Sequence, residues 1–269
     1  MEKLKKFGSW AVVTGASSGI GKEFAIQLAG KGINLILIAR REPLLNELSK
    51  KLKNRYNVEV RFASVDLSKP NFLIEIENIT KGLDIGLVVS NAGGARMGAF
   101  SKIPMMDFEA MIHLNVMAQM KISHWFSTRR IKERKKGGLL LVSSTTAFQG
   151  VPYAADYAAA KAYILNLGEA LNFELKKEEI NVTVLVPGPT DTPGLTENQD
   201  ADMASHLPMK PQTVDELVTE GLKALLKNKP SHIGGSMNRI MAKVMKILMS
   251  RKAASAFWGK MMYKMVTIK

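Results

Sequence analysis

Cysteine does not occur anywhere in this chain of 269 residues, so disulfide bonds, thiolate metal sites and cysteine nucleophiles are excluded. Long hydrophobic runs are also missing, since no apolar stretch approaches the roughly 18 residues that a membrane-spanning helix requires. The basic residues at the amino terminus precede only a short apolar stretch and then glycines, which does not resemble a signal peptide. We therefore expect a cytoplasmic protein without an export signal.

Acidic residues are missing from one part of the chain. From Ser236 to the end there are eight basic residues and no acidic one, and the formal net charge of the whole chain is +14. The rest has 30 basic and 24 acidic residues, a net charge of +6 that indicates no particular partner. A second basic run, residues 129–136, has six basic residues against Glu133. No recognised nucleic-acid-binding motif accompanies the charge of the last segment, so we predict no nucleic-acid binding.

Short apolar runs alternate with longer segments of helical character. The apolar runs lack polar alternation, which is typical of strands buried on both faces of a parallel sheet. This order predicts an α/β fold with a doubly wound parallel sheet and ligands at the carboxyl ends of its strands. The predicted strands are 11–14, 34–39, 58–63, 86–90, 139–143, 182–186 and 232–234, and the predicted helices are 21–30, 43–55, 70–81, 104–134 and 155–178.

A glycine-rich turn joins the first strand to the first helix. Gly15 permits a tight turn, Gly19 lets the backbone approach a pyrophosphate, and Gly21 allows close packing of helix and sheet. The residues between them, Ser17, Ser18 and Ile20, would meet the phosphates at the helix N-terminus. Residues 15–19 also match the G-x-S-x-G elbow of hydrolases, but nothing before Gly15 is long enough to supply that fold's oxyanion loop.

Two arginines, Arg40 and Arg41, follow the second strand. An acidic residue at this point would bind the ribose 2′-hydroxyl of NAD, whereas arginine suits the 2′-phosphate of NADP. A solvated pair that caps the next helix is the alternative. We predict NADP(H) as the cofactor.

Tyr157 and Lys161 are four residues apart in a predicted helix and therefore share one face. No other tyrosine in the chain has a lysine four residues later. Ser143 and Ser144 stand at the end of a predicted strand that faces the same crevice. This combination predicts an acid/base site.

With these features together, the chain resembles the short-chain dehydrogenase/reductase family over roughly residues 9–192. The resemblance implies one Rossmann-like domain, here residues 1–235, with strand order 3-2-1-4-5-6-7. Ser90 is a departure, because many relatives have asparagine there. The matching features are residues 14–21, Asp66-Leu67, Asn91-Ala92-Gly93, Asn115, Ser144, Tyr157 with Lys161, and Pro187-Gly188.

The resemblance implies a catalytic tetrad. Tyr157 would protonate a carbonyl oxygen or deprotonate the alcohol, and Ser144 would hydrogen-bond that oxygen. Lys161, together with the cofactor, would lower the pKa of the tyrosine, which is ordinarily about 10, and Lys161 would also hold the nicotinamide ribose. Asn115 would anchor a water chain that relays protons to solvent.

The resemblance also assigns cofactor contacts. Asp66, with Leu67 beside it, would bind the adenine amino group, and Asn91, Ala92 and Gly93 would lie beside the adenine ribose. Pro187, Gly188 and Thr190 would sit against the nicotinamide carboxamide, with Thr192 nearby. The four histidines show no metal-ligand spacing, so we predict no metal site; they are His113, His124, His206 and His232.

The substrate is expected to be lipophilic. Phe148, Val151 and Tyr153 suggest an apolar wall, and a substrate lid is predicted near residues 193–211, with Leu195, Met203, Leu207 and Met209 among polar residues. A 3-oxoacyl thioester, a steroid-like ketone or a smaller carbonyl would each fit. The alternatives are an acyl-carrier-dependent reductase, docked through residues 129–136, and a nucleotide-binding regulator without turnover.

The last segment, residues 236–269, is predicted to be a basic amphipathic extension. On a helical wheel Ile240, Val244, Ile247 and Leu248 fall on one arc with Met241 and Met245, whereas Arg239, Lys243, Lys246 and Ser250 fall on the other. Such a helix suits either peripheral contact with an anionic membrane or packing onto the domain or a sister subunit. We expect a homodimer through helices 104–134 and 155–178, or a homotetramer.

Overall fold

Seven parallel strands form one sheet in the computed structural model, which describes residues 2–193 and 210–267. Their order is β3-β2-β1-β4-β5-β6-β7, which confirms the predicted Rossmann-like order. The strands are β1 (Trp10–Thr14), β2 (Asn34–Ala39), β3 (Val60–Ser64), β4 (Ile85–Ser90), β5 (Gly137–Val142), β6 (Ile180–Val186) and β7 (Ser231–Ile233).

Helices cover both faces of this sheet. They are α1 (Gly19–Ala29), α2 (Glu42–Tyr56), α3 (Phe72–Thr80), α4 (Met105–Ile112), α5 (Ala118–Glu133), α6 (Ala155–Glu174), α7 (Val214–Leu226), α8 (Ser236–Leu248) and α9 (Arg251–Thr267). Shorter helical turns lie at Glu2–Phe7, Phe100–Lys102, His113–Met117, Thr145–Phe148 and Leu175–Glu178. None of the described helices is long and apolar enough to cross a membrane.

The core consists of two apolar layers, one on each face of the sheet. Successive strand residues point to opposite faces, so Val13 lies in one layer and Val12 in the other. The first layer holds α1, α2 and α7 against the sheet, and the second holds α3, α5 and α6. Burial on both faces explains why the strand sequences lack polar alternation.

The long predicted helix 104–134 is wrong as a single α-helix, because a π-helical turn, His113–Met117, separates α4 from α5. Strand β5 begins at Gly137, two residues before its prediction, since glycine gives no strand signal. A side chain would not fit at Gly138, where an added Cβ would lie 2.8 Å from Leu87 Cδ1. We did not predict α7, although Thr213 caps it by accepting a hydrogen bond from the Glu216 amide.

The strand order reverses beside β1, which pairs with β2 on one side and β4 on the other. The connections that leave β1 and β4 therefore turn to opposite faces of the sheet and leave a crevice at the carboxyl ends of the strands. The glycine turn after β1 and Asn91 after β4 meet at this crevice. The division of the chain at residue 235 stays a prediction.

Candidate active site

The turn after β1 is shaped by its glycines. Gly15 and Gly19 have φ angles of +67° and +52°, in the left-handed region that favours glycine. A Cβ at Gly15 would also lie 2.7 Å from Asn91 Nδ2, and one at Gly21 would overlap the Gly15 carbonyl oxygen. The backbone amides at the start of α1 consequently border an open cradle that suits a pyrophosphate.

Asn91 holds this turn to the end of β4. Its Nδ2 donates to the Thr14 carbonyl oxygen over 3.1 Å, and its backbone amide donates to Thr14 Oγ1 over 2.9 Å. The Ala92 amide shares that hydroxyl at 3.0 Å. The Asn91 side chain therefore fixes the two strand ends, while Asn91, Ala92 and Gly93 line the cleft.

Asp66 and Leu67 border the cleft beyond β3. Asp66 Oδ1 accepts hydrogen bonds from the Ser68 amide (3.0 Å) and hydroxyl (2.7 Å). Burial raises the pKa of the Asp66 carboxyl, but these hydrogen bonds and the nearby charge of Arg40 outweigh it and hold the pKa below its ordinary value. Asp66 is thus an ionised hydrogen-bond acceptor at neutral pH, as an adenine amino group would require.

Arg40 and Arg41 are exposed at the cleft, beyond the end of β2. The Arg41 guanidinium donates to Ser17 Oγ over 2.9 Å and to Ser18 Oγ over 2.6 Å. This cluster joins a fixed positive charge to two hydroxyls at the N-terminus of α1. The alternative, that the Arg41 side chain caps α2, is not supported, because this side chain makes no capping hydrogen bond to the helix.

Tyr157 and Lys161 lie on α6, facing the end of β5. Lys161 is buried, and its Nζ donates to the Val142 carbonyl oxygen over 3.1 Å. The Ser143 hydroxyl donates to the Lys161 carbonyl oxygen over 2.7 Å, which ties β5 to α6. Ser144 is hydrogen-bonded to Tyr157. The structure therefore brings Ser144, Tyr157 and Lys161 together, as the sequence predicts.

Asn115 belongs to the π-helical turn between α4 and α5 and is fully buried. Its Nδ2 donates to the carbonyl oxygens of Gly94 (2.9 Å) and Met111 (3.1 Å), and its Oδ1 accepts from the Gly94 amide. A Cβ at Gly93 would lie 2.7 Å from Asn115 Oδ1 and 3.2 Å from Lys161 Nζ. Asn115 and Lys161 thus meet at Gly93, although the predicted water relay stays a prediction.

Burial controls the protonation of both titratable groups. It raises the pKa of Tyr157 above its ordinary value of 10, and the hydrogen bond with Ser144 only partly opposes this. Burial also lowers the pKa of Lys161 from 10.5 to about 8. This direction is that of the chain alone, so the expected lowering of the tyrosine pKa by Lys161 together with the cofactor stays a prediction.

This lysine makes stability depend on pH. The folded protein releases the Lys161 proton near pH 8, whereas the unfolded chain keeps it to about 10.5, so the unfolded chain binds more protons between these values. The free energy of unfolding of the wild type should then rise relative to Lys161→Met from pH 8 to 9.5, by up to about 1.4 kcal/mol per pH unit. Urea unfolding of both proteins at pH 7, 8, 8.75 and 9.5 measures this, and parallel curves would rule it out.

The segment after β6 closes the far side of the cleft, which Pro187, Gly188, Thr190 and Thr192 line. Thr190 Oγ1 donates to the Gly188 carbonyl oxygen over 2.9 Å. Thr192 faces the glycine turn, since a Cβ at Gly19 would lie 3.4 Å from Thr192 Cβ. Contact of these residues with the nicotinamide stays a prediction.

Asn238, in the first turn of α8, supports this segment and was not predicted. It is 8% exposed, and a Cβ at Gly188 would lie 2.5 Å from its Cγ. Its Nδ2 donates to the Gly234 carbonyl oxygen over 2.9 Å. No local sequence signal could reveal this contact, because it joins residues 50 positions apart through the fold.

The predicted apolar wall packs against the C-terminal helix α9. Val151, Ala154 and Ala158 form a small buried cluster with Met262, and Trp258 packs against this cluster. A further contact joins Tyr153 and Tyr263, whose ring centroids are 5.9 Å apart. Tyr157 borders the same cluster, so α9 supports the segment that leads into the candidate acid/base.

The predicted lid lies almost entirely outside the described residues. Only Pro193 and residues 210–211 of the range 193–211 are described, and Leu195, Met203, Leu207 and Met209 are not among them. Phe148 is described and is 37% exposed.

Part of the basic run 129–136 is engaged in intramolecular ion pairs. The Arg130 side chain is 2% exposed and pairs with Asp84 at 2.8 Å. Arg129 pairs with Glu133 at 2.9 Å. These intramolecular pairs weaken the idea that the run docks an acidic carrier protein.

Metal ligands are not grouped in the described part of the chain, where no three His, Cys, Asp or Glu side chains could hold an ion together. His113 is in the π-helical turn, His124 in α5, and His232 Nε2 is 2.7 Å from Glu220 Oε2. His206 lies outside the described residues. The absence of a metal site stays a prediction for the whole chain.

The cleft has a volume of about 990 Å³. It is lined by Ser144 and by every predicted cofactor residue except Gly21, which packs against the Gly15 carbonyl oxygen. The glycine cradle, the ionised Asp66 and the exposed arginines fit the phosphates and adenosine of a dinucleotide. The Tyr157 side of the cleft fits its nicotinamide end.

Comparison with known proteins supports this assignment. A family model described as short chain dehydrogenase matches residues 9–203. A 7beta-hydroxysteroid dehydrogenase of Mediterraneibacter gnavus is 34% identical over 240 residues, 89% of this chain and 90% of the relative. A very-long-chain 3-oxoacyl-CoA reductase of Mus musculus is 34% identical over 186 residues, 68% of this chain and 59% of the relative.

Two solved structures extend the comparison. One, of a 7beta-hydroxysteroid dehydrogenase, has a TM-score of 0.88 at 29% identity and covers 96% of this chain and 99% of that chain. The other, a short-chain dehydrogenase from Sphingobium yanoikuyae in complex with NADPH, has a TM-score of 0.77 at 27% identity and covers 89% of this chain and 96% of that chain.

Proposed function

Because the chain belongs to the short-chain dehydrogenase/reductase family of oxidoreductases, we propose that it reduces a ketone on a bulky, lipophilic substrate with NADPH, or oxidises the corresponding alcohol. The observation that carries this proposal is the grouping of Ser144, Tyr157, Lys161 and Asn115 around one end of the dinucleotide cleft. A regulator that only binds nucleotide would not need a buried lysine beside a half-buried tyrosine.

Each side chain has a chemical task in this proposal. When bound, the nicotinamide supplies or accepts the hydride. Tyr157 donates its proton to the carbonyl oxygen, since burial keeps the phenol protonated at neutral pH. Ser144 binds the same oxygen and stabilises the negative charge that develops on it. Lys161 remains mostly protonated at pH 7 and stabilises the phenolate left on Tyr157.

The preference for NADP(H) rests on Arg40 and Arg41. Arg41 is already joined to Ser17 and Ser18, so a 2′-phosphate would find a guanidinium and two hydroxyls in place. Arg40 lies near Asp66, on the adenine side. A bidentate guanidinium matches phosphate geometry better than it matches the neutral 2′-hydroxyl of NAD.

Arg41→Ala tests this preference. We expect the affinity for NADPH to fall about 10- to 100-fold, since hydrogen bonds to charged groups are lost, while NADH binding changes little. Fluorescence titration of both nucleotides measures the effect, with Arg55→Ala, an exposed arginine at the end of α2, as the matched control. Equal losses for NADPH and NADH would contradict a phosphate site at Arg41.

The proposed substrate is a steroid-like ketone. Phe148 and Tyr153 lie in the segment between Ser144 and Tyr157 and keep part of their rings exposed, which suits the binding of fused rings. A 7beta-hydroxysteroid dehydrogenase is 34% identical to this chain over 89% of its length. A 3-oxoacyl thioester is the second candidate, because a 3-oxoacyl-CoA reductase also matches.

Turnover with a panel of ketones separates these candidates. We expect a keto-steroid to give a higher kcat/KM than a 3-oxoacyl-CoA and a small cyclic ketone. A strong preference for the thioester would favour the second candidate.

We also propose a homodimer or homotetramer. Exposed apolar side chains along α4 and α6, including Ile112 (39% exposed) and Phe173 (83% exposed), suit a subunit contact. The molar mass from light scattering on the full chain distinguishes these states from a monomer.

A further inference from the structure

Helix α8 has an apolar stripe that the rest of the described chain leaves uncovered. Its side chains are 46–80% exposed, and their spacing places them on one side of the helix. We call this set the α8 stripe; it consists of Met237, Ile240, Val244, Ile247 and Leu248.

The other side of α8 already has its contacts. Asn238 is buried against Gly188, and Met241 and Met245 are half-buried. Arg239 Nη1 donates to Glu220 Oε2 over 2.8 Å, and this carboxylate also accepts from the Gly235 amide. The helix is therefore anchored by one face while the α8 stripe points away from the domain.

Basic residues flank the stripe. Lys243 in α8 is exposed, and so are Arg251, Lys252 and Lys260 in α9. No acidic residue occurs from Ser236 to the end of the chain. Exposed aromatic side chains accompany them, since Phe257 is 43% and Tyr263 53% exposed. An apolar stripe beside an uncompensated positive charge fits a surface that is both anionic and apolar.

We propose that α8 binds in the plane of an anionic lipid surface. The α8 stripe enters the boundary between headgroups and acyl chains, and Lys243, Arg251 and Lys252 contact anionic headgroups. A second copy of this chain is a less suitable occupant, because a two-fold contact through the stripe would bring two positively charged tails together. This inference is independent of the proposed reaction.

Flotation of the full chain with vesicles tests the proposal. We expect binding to phosphatidylcholine vesicles that contain 30% phosphatidylserine, and at least about tenfold weaker binding to pure phosphatidylcholine or in 0.5 M salt, since basic residues supply part of the attraction. Absence of binding to the anionic vesicles would overturn the proposal, and so would equal binding to both kinds.

Two pairs of variants separate the apolar and the charged contributions. The double variant Ile247→Gln with Leu248→Gln should weaken binding to anionic vesicles at least about tenfold, whereas the control Ile74→Gln, at an isoleucine that is 55% exposed on α3, should not. Arg251→Gln with Lys252→Gln should also weaken binding, unlike Lys50→Gln with Lys53→Gln on α2. Each variant should keep wild-type NADPH affinity, which reports that it has folded.

Light scattering without vesicles tests whether a second copy of this chain, rather than lipid, covers the α8 stripe. The Ile247→Gln, Leu248→Gln variant should have the same molar mass as the wild type. Dissociation of an oligomer by this variant would show that a second copy covers the α8 stripe and would overturn the proposal.

Discussion

Tyr157→Phe should lower kcat about 10²- to 10⁴-fold while the affinity for NADPH remains within a few fold of wild type. The change removes only the phenolic hydroxyl, which is the proton donor for the carbonyl oxygen. The ring keeps its packing against the cluster that contains Val151 and Met262, so the fold and the cleft should persist. Ketone reduction followed at 340 nm, together with nucleotide fluorescence, measures both quantities.

The matched control is Tyr163→Phe on the same helix. Tyr163 is 41% exposed, and its hydroxyl contacts Met120 rather than the cleft. Its loss should leave kcat near the wild-type value. If Tyr157→Phe retained turnover, the acid/base role of Tyr157 would be wrong even if NADPH bound normally.

Gly93→Ala should lower kcat about 10²-fold or more, although Gly93 carries no reactive group. Its new methyl group would lie 2.7 Å from Asn115 Oδ1 and 3.2 Å from Lys161 Nζ. The Asn115 side chain cannot move away easily, because three hydrogen bonds hold it to Gly94 and Met111. The substitution should therefore displace Asn115 and Lys161 together.

The adjacent glycine supplies the control. A Cβ at Gly94 would make only ordinary contacts with the ends of two side chains, at 3.4 Å from Met111 Sδ and 3.7 Å from Leu114 Cδ2, so Gly94→Ala should change kcat only severalfold. Steady-state kinetics and urea unfolding of both variants distinguish misplaced side chains from loss of stability. Similar kcat values for the two variants would contradict the inference that Asn115 and Lys161 leave no room for a side chain at Gly93.

The sequence predicts the sheet and the cleft well because their signals are local. The glycine turn needs residues that adopt positive φ at Gly15 and Gly19, and buried parallel strands need uninterrupted apolar runs. Helix periodicity places Tyr157 and Lys161 on one face, and their combination with Ser143 and Ser144 predicts the acid/base site. These features depend on neighbours within a few residues.

What the sequence does not predict depends on contacts between distant segments. The π-helical turn at Asn115 departs from regular helix periodicity, whereas α7 was missed although its N-cap Thr213 and its apolar spacing are local signals. The contact of Asn238 with Gly188, and that of Trp258 with the segment before Tyr157, join the C-terminal extension to the cleft. The raised pKa of Tyr157 has the same origin, because burial is a property of the folded chain.

The most direct test of the central claim is a single reaction in which the purified chain, NADPH and a keto-steroid are mixed. Absorbance at 340 nm follows the nucleotide, and mass spectrometry identifies the steroid product. We predict that one alcohol forms for each NADPH consumed, with wild type and Tyr163→Phe but not with Tyr157→Phe. NADPH that binds but is not consumed with the keto-steroid, a 3-oxoacyl-CoA or a small ketone would contradict the claim and favour a nucleotide-binding regulator.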